Sequence, residues 1–471
     1  MSPKRIPLLI LLVSIATSVV AQNACPLVVS TVLEAVSENC DDLGRNEICY
    51  GNNMLTALNF DNEPVDSLED VGDTTDIFEI ASIVTSPYDS NDEIWGIAIL
   101  SLQADLPDTI AGQNVTFVVF GETELTSRVI PEDRLIESLS AISTGTINIR
   151  SGAGTNFSRV GALVPGQDIM LTGRNIAGDW VQIEIDDGIG WVFAELLDID
   201  GDVSLLGIVD NDMNHDYVAP MQAFGFQTGI GNSGCLDVPP DGVLIQTPTN
   251  TTVNFLINGI EVEIGSTVFI QYISGRLVVT TLDGRVTVTS AGVSQIIEPG
   301  YTVYVSVAGE PGSPIEFQYD DFRSLPLLLL PEPVGIPVLV RSNNTWRDTG
   351  IPVDAGDTFT LRTGGLINFW DNCETEKVAS GQPDIDCSSL IFDPAGGDPV
   401  TTSGAVLGSD MSLFPVPSAP PHSLVMRIGT STTFVGLGGD FTAPESGTLE
   451  FRVNDVDLNN LGAFFVSVIT P

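Results

Sequence analysis

The chain has 471 residues, with 62 Asp and Glu against 17 Lys and Arg, for a formal charge of −45 at pH 7. Only 17% of residues are charged and 43% are hydrophobic, so the acidity reflects missing cations rather than dense charge. That balance excludes an intrinsically disordered chain, and it excludes nucleic acid and anionic membranes as partners, because both require Lys and Arg to displace counterions.

The first predicted element is an export signal. Lys4 and Arg5 give a positive start, residues 7–20 are apolar and uncharged, and Val19 and Ala21 are the small residues of a cleavage site. Residues 1–21 are therefore expected to be removed, so that the mature chain begins near Gln22. The run is shorter than the ~20 apolar residues of a spanning helix. A lipid-anchored Cys25 is disfavoured, because Gln22, Asn23 and Ala24 lack the usual apolar residue. Export places the chain in an oxidising compartment, secreted or in the cell envelope, and its six cysteines are an even set. Cys373 and Cys387 are alone in the last third and are expected to pair, while Cys25, Cys40, Cys49 and Cys235 admit three connectivities. No C-x-x-C spacing occurs, so a thiolate metal site is excluded.

A helix is predicted over residues 26–38, where Val28, Val29, Val32, Leu33 and Val36 share one face between Cys25 and Cys40. Beyond it, 46 Gly and 29 Pro separate short runs rich in Val, Ile, Thr and Phe, such as residues 115–120, 262–272, 277–281, 286–290 and 464–469. This spacing predicts a mainly β protein. The expected parts are an N-terminal α+β region (23–140), a small barrel (143–198), a β scaffold (200–323), a Pro-rich connector (324–333) and a final β-sandwich (334–471). The apolar residues 327–330 lie among Pro326, Pro331, Pro333 and Pro337, so that stretch is read as packed connector rather than membrane span. A bond from Cys235 back to the early cysteines would make the barrel an excursion from one larger unit.

Residues 143–198 contain Thr146-Ile147-Asn148-Ile149-Arg150-Ser151-Gly152-Ala153-Gly154, Gly178-Asp179-Trp180-Val181 and Gly190-Trp191-Val192-Phe193. In that order these motifs resemble a bacterial SH3 domain of the extracellular type. The resemblance implies an SH3-like barrel that binds cell-wall peptides or serves as a module in exported proteins. Gly152 and Gly154 are expected in a positive-φ turn, Trp180 and Trp191 in the core, and Arg150 in support of the turn. In residues 241–308, glycines at 265, 275, 284, 292 and 300 punctuate apolar alternation, and Leu282-Asp283-Gly284-Arg285 is expected to form a hairpin turn. This rhythm resembles FecR-like periplasmic sensor domains and carries no site.

The C-terminal segment carries the function. Val453-Asn454-Asp455 leads into Val456-Asp457-Leu458-Asn459-Asn460-Leu461-Gly462 and a last strand. Carboxylate, amide and carbonyl oxygens so close together match the six to eight hard ligands of Ca²⁺, although Asn and Asp also favour ordinary turns. With residues 424–429 and Asn459-Asn460-x-Gly462, the segment resembles the calcium-dependent galactose-binding bacterial lectins, a jelly-roll β-sandwich family. The resemblance implies Ca²⁺ held by Asp455, Asn459 and Asn460 and by the carbonyls of Leu458 and Phe369, with sugar hydroxyls completing the shell. Two departures stand out: the loop between Asp455 and Asn459 is shorter, and the region from Cys373 to Cys387 lacks the family's His-Pro-Asp-Gln stretch. His422 does not match that motif and is read as a solvated loop residue.

With only His215 and His422, a His-x-x-x-His zinc protease is impossible; no Gly-x-Ser-x-Gly elbow or phosphate loop occurs. Asp198-x-Asp200-Gly201-Asp202 is read as an acidic linker, because its glycine is misplaced for an EF-hand. The expected function is non-enzymatic binding of carbohydrate or cell-wall glycan through a Ca²⁺-dependent lectin-like domain and an SH3-like module. The alternative is a structural or signalling envelope protein whose β domains are spacers.

Overall fold

The protein was examined as a computed structural model, which describes residues 25–41, 43–89, 94–103, 114–129, 138–175, 177–185, 188–207, 209, 220–229, 238–342, 345–368, 373, 386–397, 410–456 and 461–470. Among them the fold is mainly β, with one α-helix, Cys25–Asn39. Val29, Leu33 and Val36 on the predicted helix face are buried. A Cys40–Cys49 disulfide ties the chain just past the helix to strand Glu47–Asn52.

Fifteen strands share one sheet. It runs Leu55–Leu58, Ser82–Thr85, Thr123–Ser127, Ala223–Thr228, Val253–Ile257, Ile260–Ile273, Gly242–Gln246, Val115–Phe120, Ile97–Leu102, Glu47–Asn52 and Thr74–Asp76. Strand Arg276–Ser290 branches from Ile260–Ile273 and carries Val293–Ile297 and Tyr301–Ser306. The sheet thus joins two segments that the sequence sets apart, 23–140 and 200–323. Gly242–Gln246 lies antiparallel to Val115–Phe120, and Ala223–Thr228 antiparallel to Thr123–Ser127. Both faces are covered, which explains the unbroken burial of Val115–Phe120 apart from Thr116. Phe117 joins Phe224, Phe226 and Phe255 on one side. Phe120, Leu244 and Phe269 pack on the other against the helix and against Leu325, Leu329 and Ile336 of the connector region.

Three hairpins in this sheet close through paired left-handed residues: Asn258-Gly259, Ser274-Gly275 and Ala291-Gly292, with φ of 52 and 80, 54 and 78, and 51 and 77°. Their flanking pairs Ile257↔Ile260, Ile273↔Arg276 and Ser290↔Val293 leave two-residue loops of the primed type, which match the strand twist. The hairpin expected at Asp283-Gly284 is absent. Arg276–Ser290 runs through it as one strand, and the register shifts at Thr267/Val268. The bulged residue is Leu282; the left-handed Gly284 (φ 68°) follows it and pairs with Ser266, where a side chain would collide with the Gly265 carbonyl.

The second unit is a seven-stranded sheet ordered Arg159–Leu163, Ile147–Arg150, Gly188–Phe193, Trp180–Ile185, Asp168–Arg174, Leu139–Ser143 and Leu197–Asp200. Asp198 and Asp200 therefore do not lie in a linker. They stand in an edge strand paired with Leu139–Ser143, because Leu197 and Ile199 supply the inward alternation that a linker reading overlooks.

The C-terminal unit is a sandwich. One sheet orders Pro337–Val340, Leu461–Ile469, Thr358–Asn368 and Ile391–Phe392, with Gly438–Thr442 also on Thr358–Asn368. The other orders Arg347–Val353, Gly447–Val453, Leu424–Ile428 and Ser431–Phe434. Phe359, Leu361, Met426, Phe451, Phe464 and Val466 form the core between them.

Replacing Cys40 and Cys49 together by Ser removes a short cross-link and is expected to lower stability by about 2–3 kcal/mol. Urea denaturation checks this; an unchanged midpoint contradicts it.

Candidate functional site

Asn454 and Asp455 follow strand Gly447–Val453, and His422 and Ser423 precede its neighbour Leu424–Ile428. The ladder continues past the strands: His422 N donates to Asn454 O and Asn454 N to Ser423 O, both at 2.7 Å. The Asn454 side chain is fully buried and saturated. Its Oδ1 accepts from Val416 N at 3.0 Å, and its Nδ2 faces the carbonyls of Val416, Ala419 and Pro420 at 3.1, 3.2 and 2.9 Å. One amide thus fixes the irregular segment 416–420 against the strand end.

Asp455 is 2% exposed. A carboxylate at that depth requires donors. Val456 N donates to its Oδ1 at 2.6 Å, and the Ser342 hydroxyl donates to its Oδ2 at 3.3 Å. His422 Nδ1 lies 3.7 Å from Oδ1, an ion pair when the ring is protonated. Arg452 donates to the Asp455 carbonyl at 3.0 Å. Burial pushes the Arg452 guanidinium below its usual value; Asp455 pulls it back up and Arg427 adds to the lowering.

His422 is not the solvated residue expected from sequence. It is 3% exposed, stacked on Phe392 at 4.6 Å and edge-on to Phe414 at 5.9 Å. Its φ of 59° turns the chain so that the ring enters the sandwich end rather than solvent.

The register places the other flanks of the predicted site. Asn368 pairs with Leu461, so strand Thr358–Asn368 ends where Leu461–Ile469 begins. Phe369 follows the first of these strands in sequence; Leu458, Asn459 and Asn460 precede the second. Those four residues lie outside the described residues, as do Cys235, His215 and the Cys25 side chain. Of the proposed metal ligands the structure therefore positions Asp455. A fixed anionic oxygen donor is the chemistry that Ca²⁺ selects over softer metals. Cys373 and Cys387 are bonded and pack on Leu390. Among the described residues no three His, Cys, Asp or Glu side chains gather as a metal cluster.

Sequence reasoning missed Ser342, because nothing local links it to a residue 113 positions away. It also missed the clamp role of Asn454, for which the signal was present: an Asn at a strand end beside an Asp, facing a Pro-rich segment.

In the barrel, Trp180 and Trp191 are buried, and Trp180 meets Phe193 edge-on at 5.6 Å. Arg150 Nη1 donates to the carbonyls of Thr155 and Phe157, both at 2.8 Å, which fastens the turn. Gly152 and Gly154 do not adopt positive φ. Gly152 is needed for a different reason: the Phe157 ring lies against it, and a Cβ would stand 2.5 Å from a ring carbon.

Residues 145–198 match the bacterial SH3 domain family. Among solved structures, the chain is similar to the EclA N-terminal domain, a PllA-like lectin, at 20% identity over 29% of this chain and 95% of that chain. The TM-score is 0.20, a level that establishes no common fold. No curated protein matches the chain.

Asn454→Ala strips four hydrogen bonds from buried backbone groups of residues 416–420 and is expected to cost about 2–4 kcal/mol. Thermal denaturation measures the effect; a melting temperature equal to wild type contradicts the clamp.

Proposed function

We propose that the chain is an exported, non-enzymatic binding protein. Its C-terminal sandwich takes carbohydrate or cell-wall glycan through a Ca²⁺-dependent site at Asp455, and its SH3-like barrel adds a second binding module. The observation that carries this reading is the Asp455 carboxylate, fixed by Val456 and Ser342 immediately before the oxygen-rich residues 457–460. The ligands it implies are Asp455, Asn459 and Asn460 with the carbonyls of Leu458 and Phe369. A bound Ca²⁺ would supply open coordination positions for sugar hydroxyls. The chain's own part is orientation. Ser342 and Val456 N hold the carboxylate, and Asn454 locks the strand end on which it stands. The motif likeness of residues 334–471 to galactose-binding lectins supports the sugar class but not a particular sugar. The Cys40–Cys49 and Cys373–Cys387 disulfides and a bacterial SH3 domain fit an extracellular or envelope setting. No helix among the described residues is long and apolar enough to cross a membrane.

One observation favours the spacer alternative. Asp455 is deeply buried with protein donors on both oxygens, as a purely structural carboxylate would be.

A glycan array probed with the full chain, with and without chelator, separates the two. Chelator-sensitive hits are expected, and Ca²⁺ is expected to raise the melting temperature of the wild type but not of Asp455→Asn. Ca²⁺ stabilisation without any glycan hit would establish the spacer, and no Ca²⁺ effect at all would remove the site.

A further inference from the structure

A cleft of about 1110 Å³ lies between the SH3-like barrel and the large sheet, slightly above the usual volume of small-molecule sites and roomy enough for a short peptide. The barrel contributes Arg150 and Leu196, and the sheet contributes Arg128 and Val307. Cations are scarce in this chain, 17 against 62 acids, and most of those with strong side-chain contacts are neutralised. Arg285, Arg341, Arg362 and Arg427 each meet a carboxylate. The two cleft arginines differ. Arg150 is satisfied by backbone carbonyls, and exposed Arg128 has no carboxylate partner among the described residues. Gly225 keeps space for the Arg128 guanidinium, which lies 3.3 Å from where a Cβ would stand. A third arginine reinforces the sign: buried Arg174 donates to the Arg128 carbonyl at 2.9 Å. Its guanidinium is pushed down to about 10, first by burial and then by the positive charge of Arg128, against an opposing pull from Asp202. Asp179 is the one carboxylate on the cleft wall among the described residues.

The geometry points to a second ligand site here, one that takes an extended acidic peptide with a carboxylate on Arg128, in the positive field that turn-bound Arg150 adds. The wall chemistry favours peptide over sugar. Sugar recognition uses well-exposed aromatic faces, yet of the cleft aromatics Trp180, Phe224 and Phe226 are buried and Phe193 and Tyr272 are only half-exposed. The apolar surface that is open is aliphatic, Leu196 at 44% and Val307 at 54%. Exposed amides of Asn148, Asn156 and Gln227 add donors and acceptors suited to a peptide backbone. The net charge of −45 disfavours anionic ligands as a whole, so binding of one reports a local site. The inference rests on reading the chain as a binding protein but not on the Asp455 site.

The test uses the full chain and a fluorescein-labelled octapeptide of alternating Glu and Val, with a Gln-Val counterpart, read by fluorescence anisotropy. The acidic peptide is expected to bind and the Gln version to bind at least tenfold more weakly. Arg128→Gln should weaken the acidic peptide about tenfold, as loss of one charge-assisted contact does. Arg128→Lys should recover part of it, and Asp455→Asn should leave it unchanged. Equal affinity for both peptides, no binding, or indifference to Arg128→Gln would overturn the site. Arg128-dependent binding of polygalacturonate in place of the peptide would overturn the peptide assignment in favour of an acidic glycan.

Discussion

The pairing of Gly242–Gln246 with Val115–Phe120 closes the large sheet and fixes where the barrel attaches to it. Gly242 stands opposite Phe120, so the intervening chain must leave the sheet and return. The SH3-like barrel is made entirely within that excursion. Closing so long a loop costs entropy that grows only slowly with length, and the two apolar faces that the seam completes outweigh it. Phe117 and Phe120, three residues apart on one strand, each anchor a different core. A single strand therefore holds together the helix, the connector region and both halves of the sheet. It also sets the barrel beside Phe224, Phe226 and Arg128, and the intermodule cleft is a consequence of that placement.

The C-terminal sandwich repeats the logic on a smaller scale. Its core fixes the strands, but irregular chain at one end needs its own polar scaffold. Asn454 provides it by bonding three backbone positions, and Asp455 is positioned as the next residue along. Stability and the proposed site thus fall to neighbouring side chains with separate duties. Weakening Asn454 loosens the frame, whereas changing Asp455 alters the charge held within it.

Much of this was legible in the sequence where the signal was local. The helix followed from the spacing of Val29, Leu33 and Val36, the barrel from its ordered Gly and Trp motifs, and the Cys373–Cys387 bond from isolation in the chain. The misreadings share a physical cause, namely that one residue type serves several geometries. Asp283-Gly284 looks like a hairpin turn but stays paired within one strand beside the bulged Leu282, because the partner strand continues past it; Asn258-Gly259 and Ser274-Gly275 make the true hairpins. Gly152 is required by an aromatic ring rather than by a left-handed φ. His422 reads as polar and loop-borne, yet the rings of Phe392 and Phe414 bury it. Ser342 and the shared sheet depend on pairings far apart in the chain, which periodicity and turn chemistry do not encode.

The proposed Ca²⁺ site at Asp455 can be seen or refuted by anomalous diffraction from crystals of the full chain grown with Ca²⁺. A calcium peak is expected about 2.3–2.6 Å from an Asp455 carboxylate oxygen. A carboxylate still bonded only to Val456 and Ser342, with no peak near it at saturating Ca²⁺, would contradict it.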